Sequence, residues 1–90
     1  MSHGLSDQAA AVLSAIADKA PEAFAATVLT LTVITAAHEQ DTLPTGATPT
    51  DRFGDVHDLP VPGHPVLVEW FSGNPDAITI TRITWMDTSA

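Results

Sequence analysis

The side chains best able to do chemistry in this sequence are its four histidines and eleven acidic residues; cysteine and tyrosine are absent. His57 and His64 stand among Asp55 and Asp58, and histidine with carboxylate is the ligand chemistry of zinc and manganese sites. On a strand, Asp55 and His57 share a face and Asp58 turns away, while His64 lies in a turn between Gly63 and Pro65. Solvated loop residues explain this cluster better than a metal centre. No cofactor is therefore expected, and a metal-dependent enzyme using Asp55, His57 and His64 is the weaker functional alternative. His38 falls where a histidine complements the C-terminal end of a helix dipole, and His3 belongs to a terminus expected to fray. Glu69, between Val68 and Trp70, could serve as a buried acid, but a solvent-facing carboxylate or a cross-strand pair with Arg82 is the simpler expectation. The five glycines are scattered, so no loop cradles phosphate, and no hydroxyl residue sits in a nucleophile elbow. No catalytic residue is expected.

Trp70, Phe71 and Trp85 crowd the C-terminal third, where aromatics on antiparallel strands usually form core or cross-strand pairs. Trp85 is the better candidate for an exposed anchor, since it ends the last strand beside a polar tail. Arg82, Trp85 and Trp70 form the candidate partner-binding set, with Trp70 doubling as a control for the core.

These residues sit on a chain of 90 residues, the size of one domain spanning 1–90, with a formal net charge of −8 and 44% hydrophobic residues. That apolar fraction is too high for a disordered acidic tail. Only Lys19, Arg52 and Arg82 are basic, whereas affinity for nucleic acid comes from Lys and Arg neutralising phosphates. Direct binding to RNA, DNA or an anionic membrane is disfavoured, and a protein partner, a basic one above all, or a homodimer is expected. The absence of cysteine is compatible with a cytoplasmic protein. Residues 1–10 lack the basic and apolar regions of a secretory signal. The longest apolar stretch, 24–37, is broken by threonines and shorter than the about 18 residues of a membrane span.

The elements that must position the candidates are legible in outline. Ser6 precedes apolar residues at Ala9, Val12, Leu13 and Ile16, the spacing of an amphipathic helix over about 6–20. Pro21 ends that helix and suits the first position of a second, over about 21–39. Its β-branched run from Thr27 to Thr35 could alternate as a strand, but eighteen or so residues are too many for one. Prolines and glycines concentrate in the loop at about 40–54. Strands follow at about 55–61, 66–71 and 77–86, the first confined to a sheet edge by Pro60 and Pro62. The fold class is α+β, a helical hairpin on a small antiparallel sheet of three or four strands.

That order, with several stretches of sequence, resembles the RelE/ParE toxin superfamily. Leu5-Ser6-Asp7-Gln8-Ala9 is similar to the family's leucine-serine opening of its first helix, and Ala20-Pro21-Glu22-Ala23 to the start of its second. The stretch from Leu59 to Trp70 resembles the turn and central strand of ParE-type members, and Ile78 to Ile83 the final strand, where an arginine commonly occupies the position of Arg82. The family's complete first strand has only residues 1–5 available to it here, so a short or missing strand is expected. Ribosome-dependent RNases of this superfamily are basic, whereas this chain lacks tyrosine, carries Trp85 where a histidine is often found, and continues with Met86, Asp87 and Thr88. One arginine cannot stabilise a phosphorane. The resemblance therefore implies a ParE-like toxin of a type II toxin–antitoxin pair, acting by protein binding and held by an antitoxin whose tail folds on the helical hairpin or the sheet edge. An orphan acidic domain that dimerises or binds a basic protein is the alternative.

Overall fold

Ser6 organises the first half of the chain. Its backbone is extended (φ −66°, ψ 163°), and its hydroxyl accepts a hydrogen bond from the Ala9 N–H at 3.1 Å, capping helix α1 (Asp7–Lys19). The computed structural model describes residues 3–74 and 76–86. Helix α1 closes where the Ala20 N–H donates to the Ile16 carbonyl, and Pro21 then opens helix α2 (Pro21–Glu39). The β-branched run stays helical because its hydroxyls are absorbed by the helix. Thr27 Oγ1 donates to the Ala23 carbonyl at 2.7 Å, and Thr30, Thr32 and Thr35 donate likewise to Ala26, Val28 and Leu31. At the C-terminus Asp41 adopts φ 56°, the left-handed conformation that usually selects glycine or asparagine. The Asp41 and Thr42 N–H groups thereby reach the carbonyls of His38 and Ala37.

Five strands, not three or four, make a mixed sheet, not an antiparallel one. They are β1 (His3–Leu5), β2 (Thr48–Pro49), β3 (Val56–Pro60), β4 (Val66–Phe71) and β5 (Ile78–Trp85), in the order β1-β5-β4-β3-β2. Strand β1 pairs parallel with β5, Leu5 opposite Ile80, and the other neighbours are antiparallel. Strand β2, inside the segment expected to be loop, pairs with β3 only at His57 and Asp58, so β3 is an edge strand only beyond them, at Leu59 and Pro60. There the lack of a proline N–H costs nothing, which is the physical content of the edge expectation.

The buried side chains of the sheet and of both helices form one core: Ala9 and Ile16 from α1, Ala23, Leu31 and Ile34 from α2, and Leu59, Val66, Val68, Trp70, Ile78, Ile80 and Ile83 from the strands. Ile80 and Ile83 cannot share a face of a regular strand. Glu69 pairs with Arg82 and Trp70 with Ile80, which leaves Thr81 as the extra residue of a β-bulge. The bulge reverses the alternation, so that Ile78, Ile80 and Ile83 are all buried. Among the described residues no helix is long and apolar enough to cross a membrane.

Candidate functional site

The bulge also decides the surroundings of Arg82 and Trp85. Both line a groove of about 660 Å³ between α1 and β5, with Gln8, Val12 and Ala15 from the helix. Arg82 is exposed and Trp85 is half-buried, packed on the rim of the core. Gln8 fixes the groove floor: its Nε2 donates to the Ile83 carbonyl at 3.1 Å and its Oε1 accepts from the Ile83 N–H at 3.0 Å. One side-chain amide thus stands in for the strand residue that β1 is too short to supply. Ser6 does the same one step earlier, its N–H donating to the Ile80 carbonyl and its hydroxyl to the carbonyl of the bulge residue Thr81. Glu69 lies across from Arg82 as expected, but its Oε1 accepts from Thr81 Oγ1 at 2.9 Å, and Arg82 forms no ion pair among the described residues. Asp87, the other acid considered for it, lies outside the described residues.

Trp70 belongs elsewhere. It is 1% exposed and so is a core residue, which removes it from the partner-binding set. His57, expected to be solvated, is 5% exposed and stacks on Trp70 with ring centroids 5.8 Å apart and planes 25° from parallel. Its Nδ1 is buried without a hydrogen-bond partner. Such an orphaned group costs about 1–3 kcal/mol when desolvated, so its retention asks for an explanation. The sequence held the signal: His57 has the parity of Leu59 and Val61, both buried. The three residues of the metal alternative are not gathered. Among the described residues no group of three His, Asp or Glu is arranged to hold a metal ion, and His64 lines a separate cleft with Ala20 and Pro21. The Asp55 carbonyl accepts from the Ser72 N–H and hydroxyl, while its own N–H donates to Asp51 Oδ1.

The third feature escaped sequence reasoning. Helix α2 has no polar face: Val28, Leu29 and Val33 are 40%, 65% and 46% exposed. Leu29 and Val33 border an apolar groove of about 680 Å³ whose far wall is Pro44–Gly46 and Leu59–Gly63. No charged residue occurs between Glu22 and Glu39. A helix that is apolar all round is normally enclosed by protein, and that pattern was available in the sequence.

Fold and surfaces together define a small α+β domain with two apolar grooves flanking a helical hairpin. No family model matches the chain, and neither a curated protein nor a solved structure does.

Proposed function

We propose that this chain is a RelE/ParE-like domain that works by binding a protein, as the toxin component of a type II toxin–antitoxin pair in the cytoplasm. The observation that carries the binding role is the outer face of α2, where Val28, Leu29 and Val33 stay in water although the fold has no need to expose them. An amphipathic segment laid along the helical hairpin would cover them, in the manner of helix-in-groove recognition. The element order β-α-α-β-β-β-β, whose last three strands form the expected meander, and the stretches Leu5–Ala9, Ala20–Ala23 and Leu59–Trp70 support the family reading. Arg82 and Trp85, in the groove on the other flank of the hairpin, are the residues assigned to the cellular target. A single arginine beside a tryptophan supplies one charge and an aromatic anchor, a pairing common at interface hot spots and inadequate for RNA cleavage.

Expression of the chain alone and with its neighbouring open reading frame tests the reading. Growth arrest that the neighbour relieves is expected, with Arg82→Ala and Trp85→Ala abolishing arrest and Leu29→Lys abolishing relief. Unimpaired growth on expression of the folded chain refutes the toxin assignment.

A second reading, self-association of an orphan domain, is favoured by one feature. On a chain of net charge −8, an uncharged helix face is where two copies meet with least repulsion. A dimer mass in sedimentation, lost in Leu29→Lys without any partner present, would select it over the toxin.

A further inference from the structure

Both helices pack on one face of the sheet, and among the described residues no element covers the other. Strand alternation assigns to that bare face the side chains that lie between the buried ones of β3, β4 and β5. Three charged residues fall in a single row across it: Asp58 on β3 is opposite Glu69 on β4, which is opposite Arg82 on β5. They are the only Asp, Glu, Lys or Arg in the five strands. Of the two strand histidines, His57 is buried on the helix side and His3 lies in the margin strand β1.

The row is not neutralised within the molecule. Asp58 and Glu69 are like charges directly opposite on neighbouring strands, an arrangement that costs stability. Glu69 Oε1 accepts from the Thr81 hydroxyl, and Arg82 forms no ion pair among the described residues. Acid therefore stands on the β3 side of the face and free base on the β5 side, at one height along the strands. The rows to either side are uncharged. Phe71, 38% exposed with its ring laid over Gly73, centres one of them, and the half-buried Leu67 centres the other. Such a face is complementary to itself. A two-fold axis lying along β4 stacks β5 of one copy on β3 of the other and preserves height, so that Arg82 meets Asp58 of the second copy at two places. An axis across the strands would set Asp58 on Asp58 and is excluded by charge. With the axis along β4 the strands of the two sheets run within about 30° of each other, the ordinary aligned packing. Leu67 and Phe71 then meet their own counterparts, while the Thr81 hydroxyl draws the two Glu69 carboxylates to opposite sides of the axis.

We propose that the bare sheet face is a homodimer interface, in which Arg82 of each copy pairs with Asp58 of the other and Leu67 and Phe71 supply the apolar contacts. This interface leaves the outer face of α2 free and does not depend on the toxin reading. Arg82 stands where the sheet face meets the α1–β5 groove, so a molecule that engages Arg82 there competes with the second copy. At about 0.15 M salt the Debye length is about 8 Å, so the net charge of −8 opposes approach less than the contacting row favours it. A face about 20 Å square is at the small end of specific interfaces, and dissociation at about 10–100 μM is expected.

The test is sedimentation equilibrium of the full-length chain at about 0.15 M salt, from about 1 μM to about 1 mM. Monomer is expected at the lower end and dimer at the upper. Arg82→Asp and Asp58→Arg should each weaken dimerisation by about tenfold or more. Mixed in equal amounts, the two variants should associate about as tightly as the unaltered chain. Each then offers at both contacts the charge the other needs, although both remain net negative. Leu29→Lys should dimerise as the unaltered chain does, which separates this face from that of α2. If either charge variant fails to fold, Phe71→Asp, which sets two carboxylates facing across the axis, should weaken the dimer by about tenfold or more and decides in its place. A monomer at about 1 mM, full dimerisation of Arg82→Asp, Asp58→Arg or Phe71→Asp, no recovery in the mixture, or loss of the dimer in Leu29→Lys overturns the proposal.

Discussion

Helices α1 and α2 cover the same sheet by opposite means. Helix α1 is tied to β5 by polar groups, through Ser6 at the bulge and Gln8 at Ile83, and shows charged or polar side chains such as Asp7, Asp18 and Lys19 to water. Helix α2 makes its contact with the sheet through Ala23, Leu31 and Ile34, while its threonine hydroxyls turn back on its own carbonyls. A helix whose polar groups are consumed internally offers only apolar surface to whatever lies outside it. The first helix is therefore complete as it stands, and the second is a surface that calls for a partner.

Five substitutions would sharpen or break this contrast. The inward anchors should be equivalent: Ile16→Ala and Ile34→Ala, at 0% and 1% exposure, should each lower unfolding free energy by about 2–5 kcal/mol in urea titrations. A much smaller loss for Ile34 would mean that α2 is not seated as described. Removal of the polar tie comes next. Gln8→Ala strands the N–H and carbonyl of Ile83 and should cost about 1–3 kcal/mol, with faster amide exchange at Ile83. Ser6→Ala removes the cap of α1 and should cost about 1 kcal/mol, read as a lower urea midpoint with an unchanged slope. The smallest effect on stability, within about 0.5 kcal/mol, should come from Leu29→Lys on the outer face of α2. The same variant should lose association with a partner or a second copy through that face. If it loses stability instead, the outer face is structural and the contrast fails.

Much of the frame could be read from sequence because it rests on strong local signals. Ser6 and Pro21 mark helix starts through backbone chemistry, and both helices lie within one residue of the expected bounds. Strand β4 falls at 66–71 as expected, and β3 and β5 begin and end one residue inside their expected limits. What escaped is what short-range pattern cannot encode. Strand β2 has two residues, too few for any period, and β1 is recognisable only through its partner β5. The bulge was written in the sequence, since Ile78, Ile80, Ile83 and Trp85 change parity between Ile80 and Ile83, but parity identifies a bulge only once the opposing strand is known. Of the candidate site, Arg82 and Trp85 were found together, Trp70 fell into the core, and His57 was misplaced because its neighbours in sequence, Asp55 and Asp58, suggested water.

Both margins of the sheet are blunt. Along β5 the short β1 is followed by Ser6 and Gln8, which occupy the backbone groups that a foreign strand would need. At the opposite margin the outermost strand, β2, has two residues, one of them Pro49. Among the described residues neither margin offers a long run of unpaired backbone from which a repeating cross-β stack could grow. Assembly governed by side chains that are used up once covered would be finite, and a concentrated solution is expected to yield a discrete complex rather than fibrils.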